Sequence, residues 1–203
     1  MKIKVCGITN LNDGLLASNL GAWALGFVFY EKSPRYIKPE LAAQIIDQLR
    51  SQLPSPPLFI GVVVNCDAEF LRTLQETTGI DFLQFHGDEG QVTLEQFPGQ
   101  IKALRPKALG DLSDINKWGN HIKFLLVDAA VKGEYGGTGK LSDWKLALEA
   151  KEYGYPLILS GGLNPDNAEK AWNEVNPYAI DLSSGVEKSP GIKDPDKLKR
   201  LFS

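Results

Sequence analysis

Short apolar runs recur along the chain, each closed by a glycine or a polar residue, and stretches with a single apolar face separate them. Ile3-Lys-Val-Cys6 is the first run, closed by Gly7, and Thr9 or Asn10 can cap the helix that follows to Leu20. Ala24-Leu-Gly-Phe-Val-Phe29 carries no charge and has the length of a buried parallel strand. A polar loop kinked at Pro34 leads into a helix with Leu41, Ala42, Ile45, Ile46 and Leu49 on one face. Ser51 to Pro57 is a Pro-rich connector too short to join two domains. Leu58 to Val64 is a third strand, with Asp67 capping a helix to Thr77. Phe82-Leu-Gln-Phe85 runs into His86-Gly87-Asp88, a helix continues to about Phe97, and Ile101-Lys-Ala-Leu104 follows.

The second half repeats the alternation. Leu109 to Trp118 reads as weakly helical, and Phe124-Leu-Leu-Val127 is a strand ending on Asp128. A glycine-rich loop over 129–140 precedes a helix from a Ser142 cap to Tyr153. Leu157-Ile-Leu159 runs into Ser160-Gly161-Gly162-Leu163, and Asn164-Pro165 opens the next helix. Pro177-Tyr-Ala-Ile180 leads into Asp181-Leu-Ser-Ser-Gly-Val-Glu187, and Lys197, Leu198 and Leu201 lie in a closing helix.

Some eight strands alternating with some eight helices, with no antiparallel hairpin signal, predict an α/β fold. The specific form is a single-domain (β/α)₈ TIM barrel over residues 1–203. A doubly wound open sheet, with fewer strands and a crevice at a switch in strand order, is the rival. The last two strand-to-helix turns hold glycines, hydroxyls and backbone N–H groups, a setting that favours an anion where a helix N-terminus follows. They fall where phosphate-binding barrels carry their phosphate, after strands seven and eight. On this reading Gly162 and Gly185 let the backbone approach the anion, and Gly161, Asp181, Ser183 and Ser184 belong to the same turns.

Composition narrows the function class. A net charge of −3, with Lys and Arg spread along the chain, argues against nucleic acid as partner. No run approaches the roughly 18 to 20 apolar residues of a membrane span, and the opening residues read as a strand start rather than a signal peptide. The two cysteines, Cys6 and Cys66, form no disulfide framework and have no zinc spacing, so a reduced, cytoplasmic protein is expected, without a metal.

Polar residues at the C-terminal ends of strands face the site of such a barrel. Cys6 is either a small buried hydrophobe or a base with a thiol pKa brought down towards neutrality. Cys66, beyond its strand, reads as inert. Asp128 follows four apolar residues, so it either caps the following loop or is catalytic. Arg35, beside Pro34, is a solvated loop charge or a fork for a carboxylate. His86 suits the site or a hydrogen bond to a neighbouring strand end. Gly136-Gly-Thr-Gly-Lys140 fails the P-loop template, because Glu134 and Leu141 stand where glycine and a hydroxyl are needed; it reads as a lid.

Taken together, Lys4-Val-Cys-Gly-Ile-Thr9, Ser33-Pro-Arg35, Leu83-Gln-Phe-His-Gly87, Asp128 with Gly136-Gly-Thr-Gly139, Ser160-Gly-Gly-Leu163 and Asp181 to Glu187 with Pro190-Gly191 resemble the phosphoribosylanthranilate isomerase family. The resemblance covers the chain from Met1 to the last helix; Val5 and Phe85 stand where other aliphatic residues are common. It implies an Amadori rearrangement of N-(5'-phosphoribosyl)anthranilate to 1-(2-carboxyphenylamino)-1-deoxyribulose 5-phosphate, the third step of tryptophan biosynthesis from chorismate. It further implies Cys6 as general base, Asp128 as general acid, Arg35 on the anthranilate carboxylate and the two glycine turns on the phosphate. His86 joins the substrate-binding set. The partner is a small-molecule substrate, no cofactor is needed, and the chain is expected to be a monomer, with a dimer as the alternative. Two other functions fit the phosphate turns. One is indole-glycerol-phosphate synthase, which needs catalytic lysines at strand ends, for which Lys102 is the main candidate. The other is a barrel that binds sugar phosphates without catalysis.

Overall fold

Eight parallel strands close on themselves in chain order: β1 (Ile3–Cys6), β2 (Ala24–Val28), β3 (Leu58–Val63), β4 (Phe82–Phe85), β5 (Gln100–Leu104), β6 (Ile122–Asp128), β7 (Leu157–Ser160) and β8 (Ala179–Leu182), the last pairing back onto β1. This computed structural model describes residues 1–128 and 144–203; the loop over 129–140, with its Gly136–Gly139 stretch, and the Ser142 cap lie outside them. The closed parallel barrel is the expected architecture, and it rules out the open sheet.

The described residues hold seven α-helices: α1 (Leu11–Asn19), α2 (Pro39–Gln52), α3 (Ala68–Thr78), α4 (Gln91–Gln96), α5 (Lys145–Lys151), α6 (Ala168–Val175) and α7 (Pro195–Phe202). Local chemistry sets their starts. Asn10 accepts from the Asp13 N–H at 2.9 Å, and Asp67 from the Phe70 N–H at 2.8 Å. In α2 the buried face is Ala42, Ile45, Ile46 and Leu49, while Leu41 turns out to solvent. Between β5 and β6 the crossover is made of 3₁₀ turns, Leu109–Lys117 and Gly119–His121. Gly110, Asp111, Ser113, Asp114 and Asn116 explain this, since each either loosens the backbone or competes for its hydrogen bonds.

Two expectations fail near the C-terminus. Asp181 lies inside β8, not in the turn after it, because the strand starts and ends two residues later than the apolar run suggests. The turn after β8 does not open a helix either. A single 3₁₀ turn, Ser184–Val186, runs into an antiparallel hairpin of β9 (Glu187–Ser189) and β10 (Ile192–Lys193), and only then comes α7. Pro190-Gly191 makes the hairpin: proline presets the first corner, and Gly191 takes the left-handed second corner at φ 79°.

Strand residues alternate between two cores. Outward side chains such as Val5, Leu25, Phe27, Leu83, Leu125 and Leu159 pack beneath the helices. Inward ones, among them Ala24, Ile60, Ile101, Ala103, Phe124, Leu126, Ile158 and Ala179, fill the barrel. Its amino-terminal end is plugged by edge-to-face contacts of Trp23 with Phe124 and Tyr178, and of Phe82 with Phe124. Above this apolar filling β1 turns two polar side chains inward, Lys4 and Cys6. Lys4 Nζ donates to Asp181 Oδ1 at 2.9 Å, with the lysine fully buried and the aspartate nearly so.

A buried charge that loses its counter-charge is strongly destabilising, whereas replacing both partners by apolar groups is often tolerated. Asp181→Ala or Lys4→Met should each cost about 3–5 kcal/mol in urea unfolding, and Lys4→Met with Asp181→Leu should recover most of it. The exposed Arg200–Asp166 pair is the control, and breaking it should shift the midpoint little.

Candidate active site

The carboxyl ends of the strands form one mouth, and Cys6 lies at its floor. Its thiol rests over β2 because residue 26 has no side chain: a Cβ on Gly26 would come within 2.7 Å of Sγ. Val28, Val62 and Tyr30 pack around it. Burial pushes the Cys6 thiol up, against the opposing pull of the Lys4 and Lys193 cations, and Asp181 adds to the rise. The expected lowered thiol is therefore wrong for the resting site. Burial also works against the Lys4 charge, yet the attraction of Asp181 and Cys6 outweighs it and keeps the ammonium above its ordinary value.

Arg35 comes from the loop after β2 and crosses directly above Gly7. That glycine holds φ 79°, and a Cβ there would sit 2.7 Å from Arg35 Cδ and 3.2 Å from Ser183 Oγ. Gly7 thus lets the Arg35 stem and the β8 turn close in on the residue that follows Cys6. Arg35 is not a solvated charge. Its Nε and Nη2 clasp Glu187 at 2.9 and 2.7 Å. Lys193 grips the same carboxylate at 2.9 Å and donates to the Cys6 carbonyl oxygen at 2.5 Å. Burial raises the Glu187 carboxyl, but the hydrogen bonds and charges of Arg35 and Lys193 outweigh it and hold the group ionised.

Across the mouth, Asp128 ends β6 in register with Ser160 at the end of β7. His86 Nε2 lies 4.0 Å and Arg105 Nε 3.6 Å from Asp128 Oδ2. Arg105 Nε donates to His86 Nε2 at 3.1 Å. The ring is neutral, since burial and the Arg105, Lys4 and Lys102 cations lower its pKa to about 3. With Nε2 accepting, the proton sits on Nδ1, 2.9 Å from the Gln84 amide, which must present its oxygen there. His86 is thus a poor base, a neutral ring held between Gln84 and Arg105 at the mouth. Lys102 faces away from the barrel, opposite to Ile101 and Ala103, and is spent on Gly87 O at 2.6 Å and Glu89 Oε2 at 2.8 Å. Cys66 bonds the Val64 carbonyl at 3.6 Å, in keeping with an inert thiol.

The two glycine turns are neighbours, packed backbone to backbone. A Cβ on Gly185 would lie 1.9 Å from the Leu163 carbonyl oxygen, so the contact between the turns by itself requires a glycine here. Gly161 and Gly162 hold φ 102° and 65°, and the space in front of Gly162 is open. Ser183 and Ser184 bridge from β8 into the 3₁₀ turn. Asp181 sits below both, bound to Lys4, with Ser160 Oγ 3.5 Å from its Oδ2.

Five residues of this arrangement were not among the sequence candidates: Lys4, Gln84, Arg105, Glu187 and Lys193. Lys4 had a signal, since a lysine alternating with a cysteine in an apolar strand must be buried and paired. Arg105 follows β5 at the position where Asp128 ends β6, and the strand-end reading reaches it once the strand is placed. Glu187 and Lys193 have no periodic signal; only the hairpin brings them inward.

The family described as N-(5'phosphoribosyl)anthranilate (PRA) isomerase matches residues 3–203. The chain is similar to an N-(5'-phosphoribosyl)anthranilate isomerase of Citrifermentans bemidjiense, 43% identical over 205 residues, covering 100% of this chain and 95% of that protein. A crystal structure of the Thermotoga maritima phosphoribosyl anthranilate isomerase superposes with a TM-score of 0.86 at 38% identity, covering 100% and 97%. A second isomerase structure, in complex with reduced 1-(o-carboxyphenylamino)-1-deoxyribulose 5-phosphate, gives 0.83 at 35%, covering 100% and 96%.

Two measurements check this geometry. The His86 ring signals should show no NMR inflection between pH 5 and 8, and Arg105→Leu should move the pKa upward. Because the folded pKa lies below the unfolded value of about 6.5, His86 makes stability fall as pH drops from there towards 3. Gly185→Ala should lower the thermal midpoint more than Gly162→Ala, whose cost is about 1–2 kcal/mol of left-handed backbone strain. Equal shifts would remove the contact between turns as the reason for Gly185.

Proposed function

The chain belongs to the N-(5'-phosphoribosyl)anthranilate isomerase family, and we propose that Cys6 and Asp128 perform its Amadori rearrangement as general base and general acid. The substrate is N-(5'-phosphoribosyl)anthranilate and the product 1-(2-carboxyphenylamino)-1-deoxyribulose 5-phosphate, the third step of tryptophan biosynthesis from chorismate. The observation that carries the assignment is the placement of Cys6 on β1 and Asp128 on β6, strands well apart around one barrel whose mouth also receives Arg35 and the glycine turns.

The chemistry needs two proton transfers at different atoms. Asp128 gives a proton to the ribose ring oxygen as its bond to C1′ breaks, and the nitrogen lone pair completes an iminium at C1′. Cys6, as thiolate, takes the C2′ proton, and that electron pair forms the C1′–C2′ double bond while neutralising the nitrogen. The enolamine then moves a proton to C1′ as the C2′ hydroxyl becomes the ketone. Burial disfavours the thiolate, so the Lys4 ammonium beneath Cys6 serves as its counter-charge. Arg35 takes the anthranilate carboxylate and the turns at 160–163 and 183–185 take the phosphate, the open space before Gly162 facing the anion. The pairing of Lys102 with Glu89 removes the main lysine a synthase of this fold would use. All these groups belong to one chain, so a single barrel domain acting as a monomer suffices.

The direct test is loss of phosphoribosylanthranilate fluorescence on incubation with the protein; no loss would reject the isomerase reading. Cys6→Ala and Asp128→Asn should each lower kcat on the order of 10² or more. Activity should rise with pH through a value above the ordinary thiol range, because only the thiolate is a base. With substrate deuterated at C2′, weakening the base should enlarge the isotope effect, and loss of the acid should shrink it. Near-native kcat in Cys6→Ala would assign the base to another group.

A further inference from the structure

A guanidinium has five N–H donors arranged on two usable edges, one made by Nε with Nη2 and the other by Nη1 with Nη2. In Arg35 the first edge is filled. Nε lies 2.9 and 3.1 Å from the two Glu187 oxygens, and Nη2 donates to Oε2 at 2.7 Å. Nothing else among the described residues pairs with the second edge, and the side chain is 22% exposed, so that edge can be reached from the mouth. Glu187 is itself immobile. It is almost fully buried, accepts from Lys193 Nζ at 2.9 Å and from the Gly191 N–H at 3.3 Å, and sits on a hairpin bonded to β1 through the Cys6 carbonyl. Lys197 Nζ holds the Glu187 backbone carbonyl at 2.7 Å, and Thr9 Oγ1 donates to the Gly191 carbonyl.

These contacts have one consequence. A long, flexible arginine has its stem laid over Gly7 and one edge locked, so its remaining edge points in a fixed direction. Two cations share one carboxylate, and the three groups together keep a charge of +1 for a second anion. We propose that Glu187 is a positioning residue for substrate specificity: it takes the side edge of Arg35 so that the end edge is aimed, and kept charged, for the carboxylate of the substrate's aromatic ring. Lys193 acts behind it, tying Glu187 to the strand that bears Cys6. The proposal rests on the reading that Arg35 meets that carboxylate, and it deepens it: recognition is set by the β9–β10 hairpin, which touches no part of the ligand through Glu187 itself.

The test uses two probes in calorimetric titration. One is reduced 1-(o-carboxyphenylamino)-1-deoxyribulose 5-phosphate; the other is the same compound without the ring carboxylate. Glu187→Gln presents one acceptor and one donor where Arg35 needs two acceptors. It should cut the preference for the carboxylated probe on the order of 10-fold, the scale of a charge-assisted hydrogen bond, and leave Kd for the other probe unchanged. Glu187→Asp, with the charge one methylene short, gives the same readout should the Gln variant fail to fold. Equal weakening of both probes would make Glu187 merely structural, and an undiminished preference would also overturn the proposal. Arg35→Met separates the two ideas. If it abolishes the preference while Glu187→Gln does not, only the proposal falls. If it leaves the preference intact, the Arg35 reading falls and the proposal with it.

Discussion

The salt bridge between Lys4 and Asp181 lies on the seam where the first strand of the chain meets the last. Closing a parallel sheet brings β1 beside β8, and the register sets Lys4 opposite Asp181. An ammonium with no exposed surface is tolerated only with a partner at hydrogen-bonding distance, so the seam and the pair depend on each other. The pair also forms the lower wall of the mouth. One layer above it sits Cys6, and the turn after β8 rises from the same strand that carries Asp181. Moving this seam would displace the thiol and the β8 glycine turn together.

The remaining polar interior is organised as two clusters on either side of that seam. On one side Glu187 is buried between Lys193 and one edge of Arg35, whose other edge reaches the mouth. On the other, Arg105 reaches His86 and Asp128 from a largely exposed position, where solvent screens its charge. The contrast separates the two clusters: one edge of Arg35 is held from the protein interior by Glu187, while Arg105 meets His86 and Asp128 from the surface.

The barrel was legible from sequence because its signals are local. Apolar runs closed by Gly7, Asp128 and Ser160 mark strand ends, and Asn10 and Asp67 cap the helices after β1 and β3. Legibility failed where tertiary contacts overrule local pattern. The end of β8 is fixed by pairing to β1, which carries Asp181 inward although the apolar run stops before it. The thiol of Cys6 looked easy to ionise from its place at a strand end ahead of a helix, yet burial, which only the packed structure defines, pushes it up. Arg35 was readable as a carboxylate fork, but not that one edge of the fork is already spent on a residue 152 positions away. Gly185 was readable as necessary, but not its contact with the Leu163 carbonyl, because a glycine next to an anion and a glycine against a neighbouring carbonyl look alike in one dimension.

That last contact has a bearing on how the site can change. With the Leu163 carbonyl pressed to the Cα of Gly185, the turns after β7 and β8 share one surface and cannot be remodelled separately. An insertion or a larger residue in either turn must be matched in the other in the same step, a demand that random variation seldom meets. The half of the mouth assigned to phosphate is thereby constrained as a block. Divergence towards other aglycones has its easier route on the opposite rim, through the loops after β2 and β5, where single substitutions alter a side chain without moving a second backbone.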